Sequence, residues 1–169
     1  MLHHKEFATS IVTSVLKNNI YFNNNILSLL VDCKESTELV NLPREEIRKI
    51  FDNTIFKVHN IILGYLPNMI KQGGKIILLN KHRGHYDVIS YALQTLLGTL
   101  HREIRDTNVS ISLLDFNDAS NEMVISRVQH CLSTDTPKFQ YCIGYDVYTS
   151  KLSTKILPED VISESNRYK

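Results

Sequence analysis

The chain alternates between two hydrophobic periods, and this alternation limits the folds open to it. Short apolar runs bounded by turn residues lie at 26–33, 75–80 and 109–116, with the length and composition of buried strands. Between them, residues 45–71 and 86–105 carry apolar side chains every three or four positions, which predicts two long amphipathic helices. Strands that alternate with helices in this way are typical of a parallel sheet with helices on both faces.

Shorter segments complete the predicted element order. Residues 5–17 and 119–132 have helical patterns, and residues 139–148 read as an extended segment. Pro67 is expected to bend or interrupt the first long helix, and Gly73–Gly74 to end it. Two Asn-rich patches, Asn18–Asn19 and Asn23–Asn25, have the composition of loops. We therefore predict an α/β fold with about three to four parallel strands, as one domain over 1–157 followed by a polar tail, 158–169.

Composition narrows the possible partners. The net charge of +1 over 169 residues gives no basic surface for nucleic acid. The first residues lack the apolar core of a signal peptide, and no apolar run is long enough to span a membrane. The three cysteines have neither paired spacing nor metal-ligand spacing, which favours a reducing compartment such as the cytoplasm. We expect no nucleic acid, no membrane and no metal among the partners.

Three stretches, in this order, carry a resemblance to a known family: LLVDCKES, then LPREEIRKIFDNTIFKVHNIILGYLPNMIKQGGKIILLN, then YDVISYALQTLLGTLHREIRDTNVSISLLD. Together they resemble the C-terminal two-thirds of the short-chain dehydrogenase/reductase family. The resemblance runs from about residue 26 to 116. It implies a truncated Rossmann-like sheet and, if the chain is active, NAD(P)-dependent oxidation or reduction of an alcohol or carbonyl.

The resemblance fails where the family binds its cofactor and performs its chemistry. Family members begin with a glycine-rich turn against the cofactor pyrophosphate, whereas this chain contains no G-x-G. We therefore expect no cofactor. By the resemblance, the family's active-site positions fall on the following residues: Tyr86 for the tyrosine, Ser90 for the lysine, Asn53 or Thr54 for the asparagine, and Asn80 or Lys81 for the serine.

The loss of the lysine matters most for the chemistry. In the family, the ammonium lowers the tyrosine pKa from about 10 towards neutrality and also holds the cofactor ribose. Ser90 carries no charge, so Tyr86 would remain an ordinary phenol and a poor base at neutral pH. Asp115, at the end of its predicted strand, is explained by loop capping.

The sequence leaves three functions open. The first is a non-catalytic member of the family that acts through protein contacts or dimerisation. The second is a degenerate NAD(P)-dependent oxidoreductase, and the third is a bracing subdomain like the structural half of a polyketide ketoreductase. Family members commonly dimerise through the helices that match 44–71 and 86–106. A protein partner could also cover the otherwise open edge of strand 26–33.

Overall fold

The computed structural model describes residues 2–23, 25–33, 43–82, 88–116 and 119–143. Helices and strands alternate along the chain, with one short π-helical segment between α2 and α3. The elements are α1 (Leu2–Asn18), β1 (Ile20–Asn23), β2 (Ile26–Cys33), α2 (Arg44–Phe51), the π-helical segment (Asp52–Phe56), α3 (Lys57–Gln72), β3 (Gly74–His82), α4 (Val88–Glu103), β4 (Val109–Phe116), α5 (Asn121–Ser133) and β5 (Gln140–Ile143).

The strands form one sheet in the order β1-β2-β3-β4-β5. Strands β2 to β5 are parallel, as the alternating pattern predicts, whereas β1 pairs with β2 in the antiparallel direction. The predicted α/β class and parallel sheet are thus confirmed, with β1 as an additional strand. The assignment of one domain to 1–157 and a tail to 158–169 extends beyond the described residues and stays a prediction.

Strand β1 lies between the two Asn-rich patches. Asn18 ends α1 and Asn23 ends β1, whereas Asn19 and Asn25 lie in the connections that the composition predicts. These two asparagines adopt the left-handed conformation, Asn19 with φ 61° and Asn25 with φ 59°. Asn19 follows α1 and donates its backbone N–H to the carbonyl of Val15 (2.8 Å), a common helix C-terminal motif. Asn25 lies in the tight turn between β1 and β2, where positive φ is required. Asparagine tolerates this conformation better than most residues.

Residues 19–23 cover the first part of the outer edge of β2. Ile20 to Asn23 pair with Leu29 to Ile26, and the carbonyl of Asn19 accepts from the backbone N–H of Leu30 (3.0 Å). Aromatic contacts support the strand on both faces: Tyr21 packs against Phe7 of α1, and Phe22 against Tyr65 of α3. The chain therefore supplies its own cover for this part of the edge.

Each face of the sheet carries its own helices and its own apolar core. Helices α3 and α4 and the π-helical segment pack on the first face, around Leu29, Ile62, Leu78 and Leu97. Helices α1 and α5 pack on the second face. The parallel strands follow one another across the sheet in one direction, but α5 lies on the opposite face from α3 and α4. The last crossover therefore has the opposite hand to the first two, an uncommon arrangement.

The first long helix is continuous from Arg44 to Gln72 but contains the π-helical turn Asp52–Phe56. Helical structure continues past Pro67 for five more residues, so Pro67 does not interrupt the helix; a bend there stays a prediction. The end of the helix at Gly73, with φ 78°, is confirmed. Among the described residues, no helix is both long and apolar enough to cross a membrane.

Candidate functional site

Strands β3 and β4 define the place where a ligand site is expected in this fold. They are neighbours in the sheet, yet the helix after β3 packs on the first face and the helix after β4 on the second. In open α/β sheets, such a divergence opens a crevice at the carboxyl ends of the two strands. Asn80 and Asp115, which are paired in register near these ends, occupy that position.

A chain of side-chain hydrogen bonds fills this part of the first face. Asn80 Nδ2 donates to Ser90 Oγ (2.9 Å) and to Asp115 Oδ1 (2.7 Å). Gln140 Nε2 donates to Asp115 Oδ2 (2.7 Å), and Gln94 Nε2 donates to Gln140 Oε1 (2.7 Å). Since Ser90 and Gln94 lie one turn apart on α4, the chain of bonds begins and ends on the same helix. We call these five residues the polar ring.

Strand alternation and register bring the polar ring together. Asn80 follows Ile76 and Leu78 on the first face of β3, and Asp115 follows Ile111 and Leu113 on that face of β4. Gln140 pairs in register with Leu113 on the next strand, so its side chain reaches the same face. The polar ring therefore caps the apolar core of the first face at its carboxyl end.

Hydrogen bonding fixes the orientation of the Asn80 amide. Rotating the amide by 180° would place its oxygen against the Asp115 carboxylate and remove both bonds donated by Nδ2. With Nδ2 so directed, the buried Asn80 Oδ1 has no hydrogen-bond partner within the part of the chain that the structure describes. The same holds for Oδ1 of Asp32 at the end of β2. Asp32 lies on the second face by strand alternation, so the two oxygens do not share one site.

The structure joins two of the sequence-predicted site residues and separates the others. Asn80 and Ser90, the family's serine and lysine positions by resemblance, are bonded to each other. Lys81 alternates with Asn80 and belongs to the second face, so it is not part of this site. Tyr86 lies outside the described residues.

Asn53 and Thr54, the two candidates for the family's asparagine position, fall within the π-helical turn. Asn53 is exposed, whereas Thr54 is half-buried and donates its hydroxyl to the carbonyl of Ile50 (2.6 Å). Single π-helical turns within α-helices frequently mark functional sites. The side chain of Thr54 is nevertheless bonded to its own helix and not to the polar ring.

Sequence reasoning missed Gln94, Asp115 and Gln140. The interpretation of Asp115 as a loop cap is wrong, because the residue is buried within β4 and accepts hydrogen bonds from two amides. The strand sequence VSISLLDF did indicate that Asp115 faces the core, because it continues the alternate, inward-facing positions of Ile111 and Leu113. No local pattern marks Gln94 and Gln140, since their contact depends on the approach of β5 to α4.

The polar ring offers amides, one hydroxyl and one carboxylate, but no cation. None of the ion pairs of the described residues includes Asp115. Within the described ranges, no group of three or more His, Cys, Asp or Glu side chains could hold a metal ion. The described part of the site thus contains no ammonium that would lower the pKa of a catalytic phenol.

The mostly parallel sheet with helices packed on both faces is a Rossmann-like fold. A short-chain dehydrogenase from Streptomyces avermitilis has a similar crystal structure, with a TM-score of 0.67 over 97% of this chain and 75% of that chain, at 13% sequence identity. The resemblance predicted from the sequence is therefore confirmed at the level of the fold.

The curated relatives that match the sequence are longer than this chain. The sequence is similar to the uncharacterized oxidoreductase YbbO of Escherichia coli strains K12 and O6:H1, with 22% identity over 163 residues. The match covers 75% of this chain and 61% of the relative, so the chain spans about three-fifths of the proteins it matches. No protein-family model matches the sequence.

Proposed function

We propose that this chain is a non-catalytic protein of the short-chain dehydrogenase fold, which binds no NAD(P) and acts through contacts with a second copy of itself. The hydrogen bond between Asn80 and Ser90 carries the first part of this proposal. By the resemblance, these two side chains stand where the family holds its serine and lysine, and they are hydrogen-bonded to each other. Neither supplies the positive charge that activates a tyrosine or the ammonium that holds a ribose.

The relatives' name supports a second candidate, a degenerate oxidoreductase. Its catalytic residue would be Tyr86, with the nucleotide supplied by a partner chain. Replacement of Tyr86 by phenylalanine would then abolish NAD(P)H-dependent reduction of a carbonyl substrate. An activity that survives Tyr86→Phe would leave this candidate without its acid/base residue. We rank it second because the polar ring contains no cation.

Binding of the cofactor is tested by thermal unfolding of the purified chain with and without excess NADPH or NADH. A ligand at about 100 times its dissociation constant adds roughly 2.7 kcal/mol to native-state stability. In a domain of this size that would raise the melting temperature by several degrees. We expect a cooperative transition with no shift. A clear shift would show that a nucleotide site exists and would place the oxidoreductase candidate first.

The contact surface proposed for the second copy lies on the helices of the first face. Five large apolar side chains are exposed there, on the π-helical segment, α3 and α4: Phe56, Leu63, Ile70, Val88 and Tyr91. Phe56, Leu63 and Ile70 are spaced by seven residues, so they form one stripe along the helix. A seven-residue apolar spacing is the repeat with which two helices pack side by side. Exposed apolar side chains that follow one another along a helix, as these three do, commonly mark interaction sites.

A second copy is the occupant that this surface suits best. The same stripe on two copies can pack against itself around a two-fold axis, since such an interface uses one patch twice. The low net charge of +1 opposes this association little. Gly64, also exposed on α3, has open space where a Cβ would stand, so the chain itself does not require a glycine there. A small residue at this position leaves room for a neighbouring helix.

Sedimentation measurements on Leu63→Arg test self-association. We expect the wild type to sediment as a dimer and Leu63→Arg as a monomer, because a charge in an apolar interface is costly to desolvate. The matched control is Thr13→Arg, an exposed position on α1 at the other face. It should leave the dimer intact. A wild type that is monomeric at all accessible concentrations would contradict this part of the proposal.

A further inference from the structure

We propose that the polar ring positions α4 for self-association, so that side chains at the family's catalytic positions serve here to present a contact surface. The inference rests on the proposed dimer through α3 and α4. It assigns Asp115 and Gln140, which are not part of that surface, the role of positioning residues. Neither residue corresponds to one of the family's active-site positions in the sequence.

The geometry of α4 links the polar ring to the proposed contact surface. Ser90 and Gln94 bond inward to Asn80 and Gln140 from successive turns of the helix. Tyr91 lies between them in the sequence and is 57% exposed on the outward side. A rotation of α4 about its axis would therefore break the bonds of Ser90 and Gln94 and redirect Tyr91 at the same time.

Apolar packing alone does not fix the orientation of α4 about its own axis. Ile89 and Leu93 hold the same part of α4 against the sheet, but hydrophobic burial has no preferred direction. Hydrogen bonds weaken steeply when donor and acceptor are misaligned, so the two bonds on successive turns define one orientation of the helix. Because the ring joins β3, β4 and β5, it ties that orientation to three strands.

Gln140→Glu tests this role by replacing one amide NH2 group with a carboxylate oxygen. In this variant two carboxylates face each other where Gln140 Nε2 now donates to Asp115 Oδ2 at 2.7 Å. Two ionised carboxylates at that distance repel. The ring is expected to open at this link, so that Gln94 stays bonded only to a side chain that is no longer held by Asp115 of β4. We expect the dimer dissociation constant to rise about tenfold, which corresponds to about 1.4 kcal/mol.

The double variant Asp115→Asn with Gln140→Glu restores every bond of the ring with the polarity of one link reversed. The new asparagine accepts from Asn80 through its oxygen and donates to the new glutamate. The glutamate's second oxygen accepts from Gln94. The pair keeps the wild-type charge, so we expect the dissociation constant to return to within about twofold of wild type, a difference of about 0.4 kcal/mol.

Association is measured by sedimentation at a temperature well below the melting temperature of each variant, together with hydrogen exchange of the α4 amides. The inference predicts faster α4 exchange and weaker association in Gln140→Glu, and recovery of both in the double variant. Unchanged association in Gln140→Glu would overturn it, as would weak association that the double variant does not rescue.

Tyr91→Arg separates failure of the inference from failure of the proposed dimer. It changes the contact surface without touching the ring, and we expect it to produce monomers. If Tyr91→Arg dissociates the dimer while Gln140→Glu does not, the dimer stands and the positioning role falls. A monomeric wild type, or a dimer that Tyr91→Arg leaves intact, overturns both.

Discussion

Gly74 lies directly against the backbone of Asn25. A Cβ on Gly74 would stand 2.6 Å from the Asn25 carbonyl oxygen and 2.6 Å from Met69 Cε. That carbonyl also accepts a hydrogen bond from the backbone N–H of Lys75 (2.9 Å). The turn between β1 and β2 is therefore held against the start of β3, and only a glycine permits this approach.

Gly74→Ala should lower the free energy of unfolding by about 1–3 kcal/mol, because the Asn25 backbone must shift to admit the methyl group. Gly98→Ala, on α4, is the matched control. The same methyl group there meets Phe139 at 3.6 Å, an ordinary van der Waals distance, and it should stabilise by about 0.5–1 kcal/mol. Urea unfolding of both variants measures the difference. Equal stability of Gly74→Ala and wild type would contradict the close contact.

Lys75 caps the C-terminal end of α5. Its Nζ donates to the carbonyls of Cys131 (2.9 Å) and Thr134 (2.5 Å), where a cation also favours the helix dipole. Lys75→Met should cost about 1 kcal/mol of stability. Lys71→Met, an exposed lysine at the end of α3, should cost nothing measurable. Chemical denaturation at neutral pH compares the two. Equal effects of the two substitutions would argue against the capping role.

Alkaline pH should act on Lys75 and Cys131 in opposite directions. Burial raises the pKa of the Cys131 thiol above its usual 9.0, against smaller opposing effects of Ser112, Arg127 and Lys75. The unfolded thiol therefore ionises first, and stability falls as pH rises through the folded pKa. Burial lowers the pKa of Lys75 below 10.5, so the folded ammonium loses its proton first and its effect raises stability as pH approaches 10.5.

Single variants separate these two effects. Cys131→Ala should lose less stability than wild type between pH 9.0 and 10.5, whereas Lys75→Met should lose more. Unfolding free energies measured at several pH values in that range give the slopes. Parallel slopes for wild type and Cys131→Ala would show that the thiol does not contribute.

The π-helical turn should tolerate the loss of one residue. A π turn is equivalent to one residue inserted into an α-helix, so deletion of the exposed Asn53 leaves α2 in phase with α3. We expect stability within about 1 kcal/mol of wild type. Deletion of Asn60, exposed in regular α-helix, rotates the helix on one side by about 100° and should cost about 3 kcal/mol or more. Circular dichroism during thermal unfolding compares both.

The π turn was readable from the sequence in retrospect. Ile50, Thr54, Val58, Ile62 and Leu66 follow one another at intervals of four residues. In an α-helix each such step overshoots a full turn by about 40°, so the series would leave the core face. All five side chains are nevertheless buried or half-buried. A wider turn is therefore required, and the segment Asp52–Phe56 supplies it.

The sequence alone determined the strands at 26–33 and 109–116, the long helices and the parallel sheet, because hydrophobic period is a local property of the chain. It also indicated the family resemblance, by which Ser90 is predicted to stand at the family's lysine position. Only the tertiary structure decided that Asn80 bonds Ser90 and that Gln140 joins Asp115 to Gln94. These contacts join residues up to 46 positions apart, and which polar groups meet depends on strand register and helix placement.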